Sequence, residues 1–448
     1  LFFIRDAQLG LTIQDLYAWQ LSRDISLDTT DISGAEVWVR FDENGKSNFS
    51  NLKLVEDQAG SRVNFKYESV RFTLNDSIVH VNDVSRKIAA DANNVIFSLF
   101  PENPEVPAAQ MRYRFDLTST GSRFVYDDRP LAPIDLRAVG IADRIGAEIT
   151  ELRLATPVGV SSLNGRLTDW AALKYDLNIE STVDLTQTTS IFPLGTSIKG
   201  IGNFKGHVTG EGETYRVEGN ADSESLTAEG VYLKAVNVAA TVEGTNLNYT
   251  ANGNAIAELL TFEDFRIEFP RLAGNVRGSG TDFRWVGELQ AAAAKSKSLT
   301  LGGLFLSDAV AEFKDRQFTA SAGSGRAQRF SIADKEFAVI SARNLRFSMP
   351  NDKIDLAIDS ANVGSLKNKN FKLNDLRGRN LRVMNGGGRT TVEVTALQAR
   401  NAEVKDNRID NLTADSFKLT DLPNSVEMRA LNLRAARLNA DGPIVEGL

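Results

Sequence analysis

The chain contains no cysteine and only two histidines, His80 and His207, among its 448 residues. The absence of cysteine excludes disulfides, thiolate nucleophiles and Cys-based metal sites. Neither histidine has a second histidine at metal-ligand spacing, and no Gly-x-Ser-x-Gly elbow is present. Gly45-Lys46-Ser47 lacks the upstream glycine of a phosphate-binding loop, because Arg40 stands there. We therefore predict that the protein is not an enzyme and has neither a metal site nor a cofactor.

The charge balance and the hydropathy also exclude classes of protein. The chain has 51 Lys and Arg against 58 Asp and Glu, a net charge of -7, and no long basic run, so we predict no nucleic-acid partner. No apolar run approaches the roughly 18 residues of a membrane-spanning helix. Residue 1 is Leu rather than Met, which predicts that the sequence is part of a longer protein.

What the sequence does contain is alternation of apolar and polar residues, most clearly in Leu173–Glu180. Ala291–Ala294 has helix propensity, but Trp285, Gly287 and Leu289 before it keep the two-residue period, so a strand is predicted there. This two-residue period indicates strands with one apolar face and one polar, solvent-exposed face, and it predicts that His80 lies on a polar face. Turn residues predict one hairpin at Asp42–Gly45 and a second around Asn75-Asp76. The glycines Gly200, Gly202 and Gly206 are predicted to lie in tight turns between strands.

Three regions are predicted along the chain. Residues 1–107 form an N-terminal β unit that ends in a Pro-rich loop. Residues 108–224 form a β body with a short helix near 184–194, stopped by Pro193. Residues 225–448 form repeats of roughly 31–39 residues, if Leu226, Leu260, Leu299, Phe330, Val363 and Leu397 are taken as equivalent.

One segment carries a resemblance to a known family. The sequence GAEVWVRFDENGKSNFSNLKL (34–54) resembles a recurrent stretch of the AsmA-like and TamB-like proteins, in which a strand enters an acidic Gly turn and leaves through a Ser-Asn-aromatic sequence. The segments 69–83 and 176–236 are similar to the next hairpin and to the body of that family. The matching positions are Val37, Val39, Asp42, Gly45, Ser47, Asn48, Phe49 and Leu52.

The resemblance implies a fold and a function. The fold is all-β, an elongated, twisted, antiparallel repeat sheet that forms a hydrophobic groove, with few short helices. The implied function is bridge-like transport of phospholipid between the inner and outer membranes of a diderm bacterium. The implied location is the periplasm, with an inner-membrane anchor in a segment absent from this chain. The implied partners are phospholipids, the two membranes and an outer-membrane β-barrel protein.

The alternation supplies the residues that would line such a groove. The pattern alone favours a closed core, because most alternating strands bury their apolar face, whereas the resemblance favours an open groove. The predicted lining residues are Val37, Val39, Phe41, Phe72, Leu74, Phe115, Leu117, Leu177, Ile179, Val236, Val238, Phe265, Ile267, Ile354, Leu356, Ile358, Val392 and Val394.

Two other functions fit the same pattern. A scaffold for assembly of outer-membrane proteins would pair a sheet edge with client strands, so prolines at the edge would matter more than charges on the floor. A β-solenoid that binds or cleaves carbohydrate would have rungs of roughly 20–25 residues and, for cleavage, clustered acids. The longer repeat and the scattered carboxylates disfavour the solenoid.

Overall fold

The computed structural model describes most of the chain. For Ile354 it describes the backbone but not the side chain. The described residues are 2–14, 23–44, 46–48, 63–66, 71–85, 87–104, 106, 110–191, 197–297, 299–314, 317–332, 334–348, 354–386, 389–404, 407–422, 425–439 and 445–446.

The fold is all-β, as the alternation predicted. Strands make up 84% of the structure and helix 2%, and nearly all strand pairs are antiparallel. The contacts divide the chain into two compact units, Leu1–Ala221 and Asp222–Leu448. Each unit is a β-sheet whose strands alternate between half-buried and exposed side chains.

Unit 1 begins with two long strands and continues as a meander. Strands β4 to β11 pair antiparallel, each with the next along the chain. Strand β1 pairs antiparallel with β2. The strands are β1 Phe2–Gln14, β2 Arg23–Phe41, β3 Val63–Lys66, β4 Arg71–Asp83, β5 Ile88–Pro101, β6 Tyr113–Tyr126, β7 Arg129–Ala142, β8 Ala147–Thr156, β9 Gly159–Asp169, β10 Lys174–Asp184, β11 Ile198–Glu211 and β12 Thr214–Ala228, which continues past the unit boundary.

Strand β2 departs from the predicted antiparallel order. It pairs in parallel with β3 and with β4. Parallel neighbours need a crossover connection rather than a tight turn, and the stretch that follows β2 is long enough to supply one. Of the turn predicted at Asp42–Gly45, Gly45 lies outside the described residues. The other residues follow the end of β2, and the Asp42 carboxylate accepts hydrogen bonds from the backbone N–H groups of Asn44 and Lys46, both at 2.9 Å.

The hairpin predicted around Asn75-Asp76 is wrong. Residues Arg71–Asp83 form one strand, β4, which is kinked at Asp76 with a φ of 46°. A left-handed residue inside a strand bends it and changes which face the next side chains occupy. Asn and Asp favour that conformation, so a kink and a turn leave the same signal in the sequence.

The single helix in the described residues, α1, spans Leu185–Ile191 and lies inside the stretch predicted as helical. It begins after Asp184, whose carboxylate accepts hydrogen bonds from the backbone N–H groups of Thr186 (2.9 Å) and Gln187 (3.2 Å). Ile191 packs against Leu131 and Val158, so α1 lies over one end of the sheet of unit 1.

Unit 2 opens with a four-stranded segment into which a small hairpin is inserted. β14 pairs with β13 and β17, while the β15–β16 hairpin bridges β13 and β18. From β17 to β26 the other strands pair antiparallel in chain order. The strands are β13 Val231–Thr245, β14 Asn248–Ile256, β15 Leu259–Phe262, β16 Phe265–Glu268, β17 Arg271–Ser279, β18 Asp282–Lys295, β19 Leu299–Lys314, β20 Gln317–Ile332, β21 Lys335–Ser348, β22 Ile354–Lys367, β23 Phe371–Gly386, β24 Arg389–Val404, β25 Asn407–Leu422, β26 Ser425–Leu431, β27 Arg437–Asn439 and β28 Val445–Glu446.

The long hairpins of unit 2 repeat at a fixed interval. Strands β19, β21, β23 and β25 begin at residues 299, 335, 371 and 407, one every 36 residues. Left-handed residues recur at the same interval, at Gly303, Val339, Asp375 and Asn411. Equivalent kinks therefore follow one another across the sheet. Leu299 lies on β19 whereas Phe330 lies on β20, so these two positions are not equivalent in the structural repeat.

Candidate functional site

Strand β10 shows how the candidate site is built. Leu177 and Ile179 are half-buried, whereas the residues between and beside them are exposed. Leu177 faces Val208 on β11, and Ile179 faces Leu163 on β9. Directly opposed residues of neighbouring strands point to the same face, so the apolar side chains of these three strands share one face.

The same face continues through the first strands of the chain. Val37 and Val39 on β2 pair with Val79 and Val81 on β4. Phe115 and Leu117 on β6 face Leu99 and Phe97 on β5, which in turn face Phe72 and Leu74 on β4. Through β7, β8 and β9 the register connects Phe115 and Leu117 to Leu177 and Ile179. The predicted lining residues of unit 1 thus lie together on one apolar face, and all of them are half-buried.

Unit 2 carries apolar rows of the same kind. One row runs through directly opposed residues of six successive strands, and a second row begins at Leu301. The first row consists of Ala320, Phe347, Leu356, Val383, Val392 and Leu419. The second consists of Leu301, Phe330, Phe337, Leu366, Leu373, Ala402 and Ile409.

The predicted residues of unit 2 divide by exposure. Val236, Val238, Phe265, Ile267, Leu356 and Val392 are half-buried. Ile358 and Val394 are buried, with 8% and 6% of their surface exposed, so they are packed against neighbouring side chains. The Ile354 side chain lies outside the described residues.

The prediction that Gly200, Gly202 and Gly206 lie in turns is wrong. All three lie inside strand β11. A Cβ atom on Gly206 would lie 2.6 Å from the ring of Phe204, and one on Gly202 would touch Leu185 of α1. The Phe204 ring and the backbone of the neighbouring strand occupy the space where a side chain on Gly206 would lie.

Sequence reasoning missed this pairing of aromatic rings with glycines. Tyr175 covers Gly210, and Tyr249 covers Gly278 in unit 2. The Trp285 indole nitrogen lies 3.0 Å from the position of a Cβ on Gly274. The available signal was glycine recurring at even spacings within alternating segments, which keeps the glycines on the same face as the rings. These rings pack against their own sheet.

The large side chains of the apolar rows are partly exposed rather than fully buried. Most buried hydrophobic residues in the described part are alanines, such as Ala309, Ala322 and Ala402, and its one cluster of larger buried side chains is Leu131, Val158 and Ile191. The larger apolar side chains therefore remain accessible.

The opposite face is polar and is crossed by ion pairs. Arg382 on β23 binds Asp355 on β22 through two hydrogen bonds of 3.0 and 2.6 Å, which hold the pKa of the Asp355 carboxyl below its usual value. Lys418 binds Glu393 at 2.6 Å across β25 and β24. Charged groups paired in this way remain in contact with water, so the two faces differ sharply in polarity.

His80 lies on the polar face, as the alternation predicted, but it is held in a cluster. Its Nδ1 lies 2.7 Å from Asp91 on β5, and its Nε2 lies 3.1 Å from Glu36 on β2. The ring stacks on Trp38, with 5.3 Å between centroids. Hydrogen bonding to Asp91, with a further contribution from Glu36, raises the pKa of His80 despite the opposing effect of burial. The two carboxylates flank opposite sides of the ring and share no common centre for a metal ion.

Other chemistry is scarce in the described part of the chain. It contains no group of three or more His, Cys, Asp or Glu side chains arranged to hold a metal ion. No helix in that part is long and apolar enough to cross a membrane. Comparisons with protein-family models, with curated proteins and with solved structures find no match. The resemblance to the AsmA-like proteins therefore stays a prediction from the sequence.

Proposed function

We propose that the apolar face binds the acyl chains of phospholipids and that the protein is a non-enzymatic, bridge-like lipid transport protein. The observation that carries the proposal is the row of large apolar side chains that stay partly exposed across successive strands. Monomeric soluble proteins rarely leave a continuous apolar surface of this extent exposed, and such surfaces mark binding sites.

The energetics favour a lipid as the occupant. Burying a methylene group is worth about 0.8 kcal/mol, so a 16-carbon chain in water costs on the order of 12 kcal/mol. An apolar lining at every strand would keep that cost low along the path. In unit 1, the row through Ile179 has an apolar side chain on every strand from β4 to β10. In unit 2, the row through Leu356 does the same across its neighbouring strands.

A conduit must also bind the lipid with similar affinity at every strand, because a lipid would stall at a site of much higher affinity. The directly opposed residues change little in character along each row, mostly between Leu, Val, Phe and Ala. The charged face would remain in water and the headgroup would lie at the open side. The family resemblance adds the setting to this proposal, namely the periplasm of a diderm bacterium, between its inner and outer membranes.

A matched pair of charge substitutions tests the proposal. Leu177→Asp places a carboxylate on the apolar face, whereas Asn178→Asp places one on the adjacent, exposed position. Because an unpaired charge against hydrocarbon costs several kcal/mol, Leu177→Asp should retain less than about a tenth of the phospholipid that co-purifies with the unmodified protein. Asn178→Asp should retain all of it. Equal phospholipid in the two folded variants, or none in the unmodified protein, would refute the proposal.

A further inference from the structure

Strand β1 (Phe2–Gln14) is the edge of the sheet of unit 1. Within the described residues it pairs only with β2. Four of its large apolar side chains are more than half exposed: Phe2 (62%), Phe3 (58%), Leu9 (61%) and Leu11 (53%). The strand contains no Lys and no Pro, two residues that commonly protect an edge from pairing. An exposed, largely apolar edge of this kind is suited to pairing with another strand.

The pattern of β1 changes phase at its centre. Phe2 and Ile4 face Val37 and Ala35 of β2, while Ala7 and Leu9 face Ile32 and Thr30. Because Val37 and Ile32 both lie on the apolar face through their partners on β4, all four β1 residues share that face. The alternation is interrupted between Ile4 and Ala7, beside the left-handed residue Gly34 of β2. Arg5 and Asp6 stand at this interruption.

We propose that β1 pairs antiparallel with β1 of a second copy of this chain. In this arrangement Phe2 faces Leu9 of the other copy and Ile4 faces Ala7. Arg5 faces Asp6 in both directions, so two pairs of opposite charges meet at the twofold axis. The edge is thus complementary to itself in polarity and in charge, and the apolar face continues from one copy into the other.

The phase change selects this register. A twofold axis leaves both copies of a residue on the same face, so facing residues must share a face. A shift of the register by two residues one way would set Ile4 against Arg5. The same shift the other way would set Asp6 against Ala7. Both shifts bring an apolar-face residue against a polar-face residue, which the proposed register avoids throughout.

Cross-linking tests the register, and the chain is well suited to it because it contains no cysteine. One chain carries Phe3→Cys and another carries Gln8→Cys; both positions lie on the polar face and oppose each other in the proposed dimer. Positions 3 and 8 are five residue steps apart, about 16 Å along the strand within one chain. In the proposed dimer, position 3 of one copy lies equally far from position 3 of the other, and the same holds for position 8, so neither like pair can form a disulfide. A covalent dimer should form when the two chains are mixed and not with either alone. Cross-linking of either variant alone, or no cross-linking in the mixture, would refute the register.

A charge exchange tests the same contact by equilibrium measurement. Arg5→Asp would set like charges together twice and should weaken dimerisation about tenfold in sedimentation equilibrium. The double variant Arg5→Asp with Asp6→Arg should restore it. The Arg5 guanidinium also lies over Gly34, so circular dichroism of each variant must match that of the unmodified chain. A chain that sediments as a monomer at every concentration would overturn the proposal. Bound phospholipid, measured separately, has no bearing on this outcome.

Discussion

The Nδ1 atom of His80 lies 2.7 Å from the Oδ1 atom of Asp91, directly across strands β4 and β5. With Glu36 on the other side of the ring, the imidazole links strands β2, β4 and β5, where β2 pairs in parallel with β4. Asp91 and Glu36 both favour the protonated ring, which is why the pKa of His80 is raised.

This cluster predicts how stability depends on pH. A histidine whose pKa is higher in the folded than in the unfolded chain stabilises the fold fully below the unfolded value of 6.5, and the contribution is lost as the pH rises through the folded value. His80→Gln should remove this loss of stability, which sets in as the pH rises above 6.5 and is measured by the urea midpoint, and Asp91→Asn should reduce it. Identical pH profiles for His80→Gln and the unmodified chain would contradict the assignment.

The contact between Phe115 and Gly140 predicts an intolerance of side chains. A Cβ atom on Gly140 would lie 2.8 Å from the Phe115 ring and closer still to the backbone carbonyl oxygen of Glu148 on β8. Gly140→Ala should therefore force the ring and the neighbouring strand to move and lower the free energy of unfolding by about 1–3 kcal/mol. Gly302→Ala is the matched control, because the nearest atom to its Cβ would be Arg329 Cβ at 3.9 Å. Urea denaturation of both variants measures the difference. Equal effects would show that the ring does not occupy the space above Gly140.

Val339 is the exception in a series of kinks. It has a φ of 52°, at a position where the other repeats place Gly303, Asp375 and Asn411. A β-branched residue is poorly suited to this conformation, and Val339 is 72% exposed, so little packing offsets the strain. Val339→Asn should therefore raise the free energy of unfolding by about 0.5–1 kcal/mol.

The control for this substitution is a valine in extended backbone. Val286 is 40% exposed on β18. Val286→Asn should lower stability, because asparagine is a poor strand former. Loss of stability in both variants would contradict the claim that Val339 is strained.

The two-residue alternation in the sequence was sufficient to predict strands such as β10 and the side of the sheet on which Leu177 and Ile179 lie. It was sufficient because the period of a strand is a local property of the backbone. The kink at Asp76 could not be separated from a turn, because a left-handed Asp serves both. The parallel pairing of β2 with β4 could not be predicted, because it depends on the long connection between the two strands and not on a local pattern of residues.

The glycines illustrate a second limit. A single glycine, such as Gly206 or Gly140, does not by itself show whether it lies in a turn or inside a strand. Their role depends on Phe204 beside the first and Phe115 on the strand opposite the second. Whether an apolar face is covered also depends on what packs over it, so the sequence left a closed core and an open groove as alternatives. The partial exposure of the apolar rows favours the open face.

The central claim is that lipid occupies the apolar face, and photo-crosslinking in cells tests it most directly. A photoreactive amino acid is placed at Val39, Leu177 or Leu356 on the apolar face, and at the neighbouring Arg40, Asn178 or Asp355 on the polar face. The account predicts capture of labelled phospholipid at the first three positions and not at the other three. Equal capture at both sets, or capture at neither in the folded protein, would contradict it.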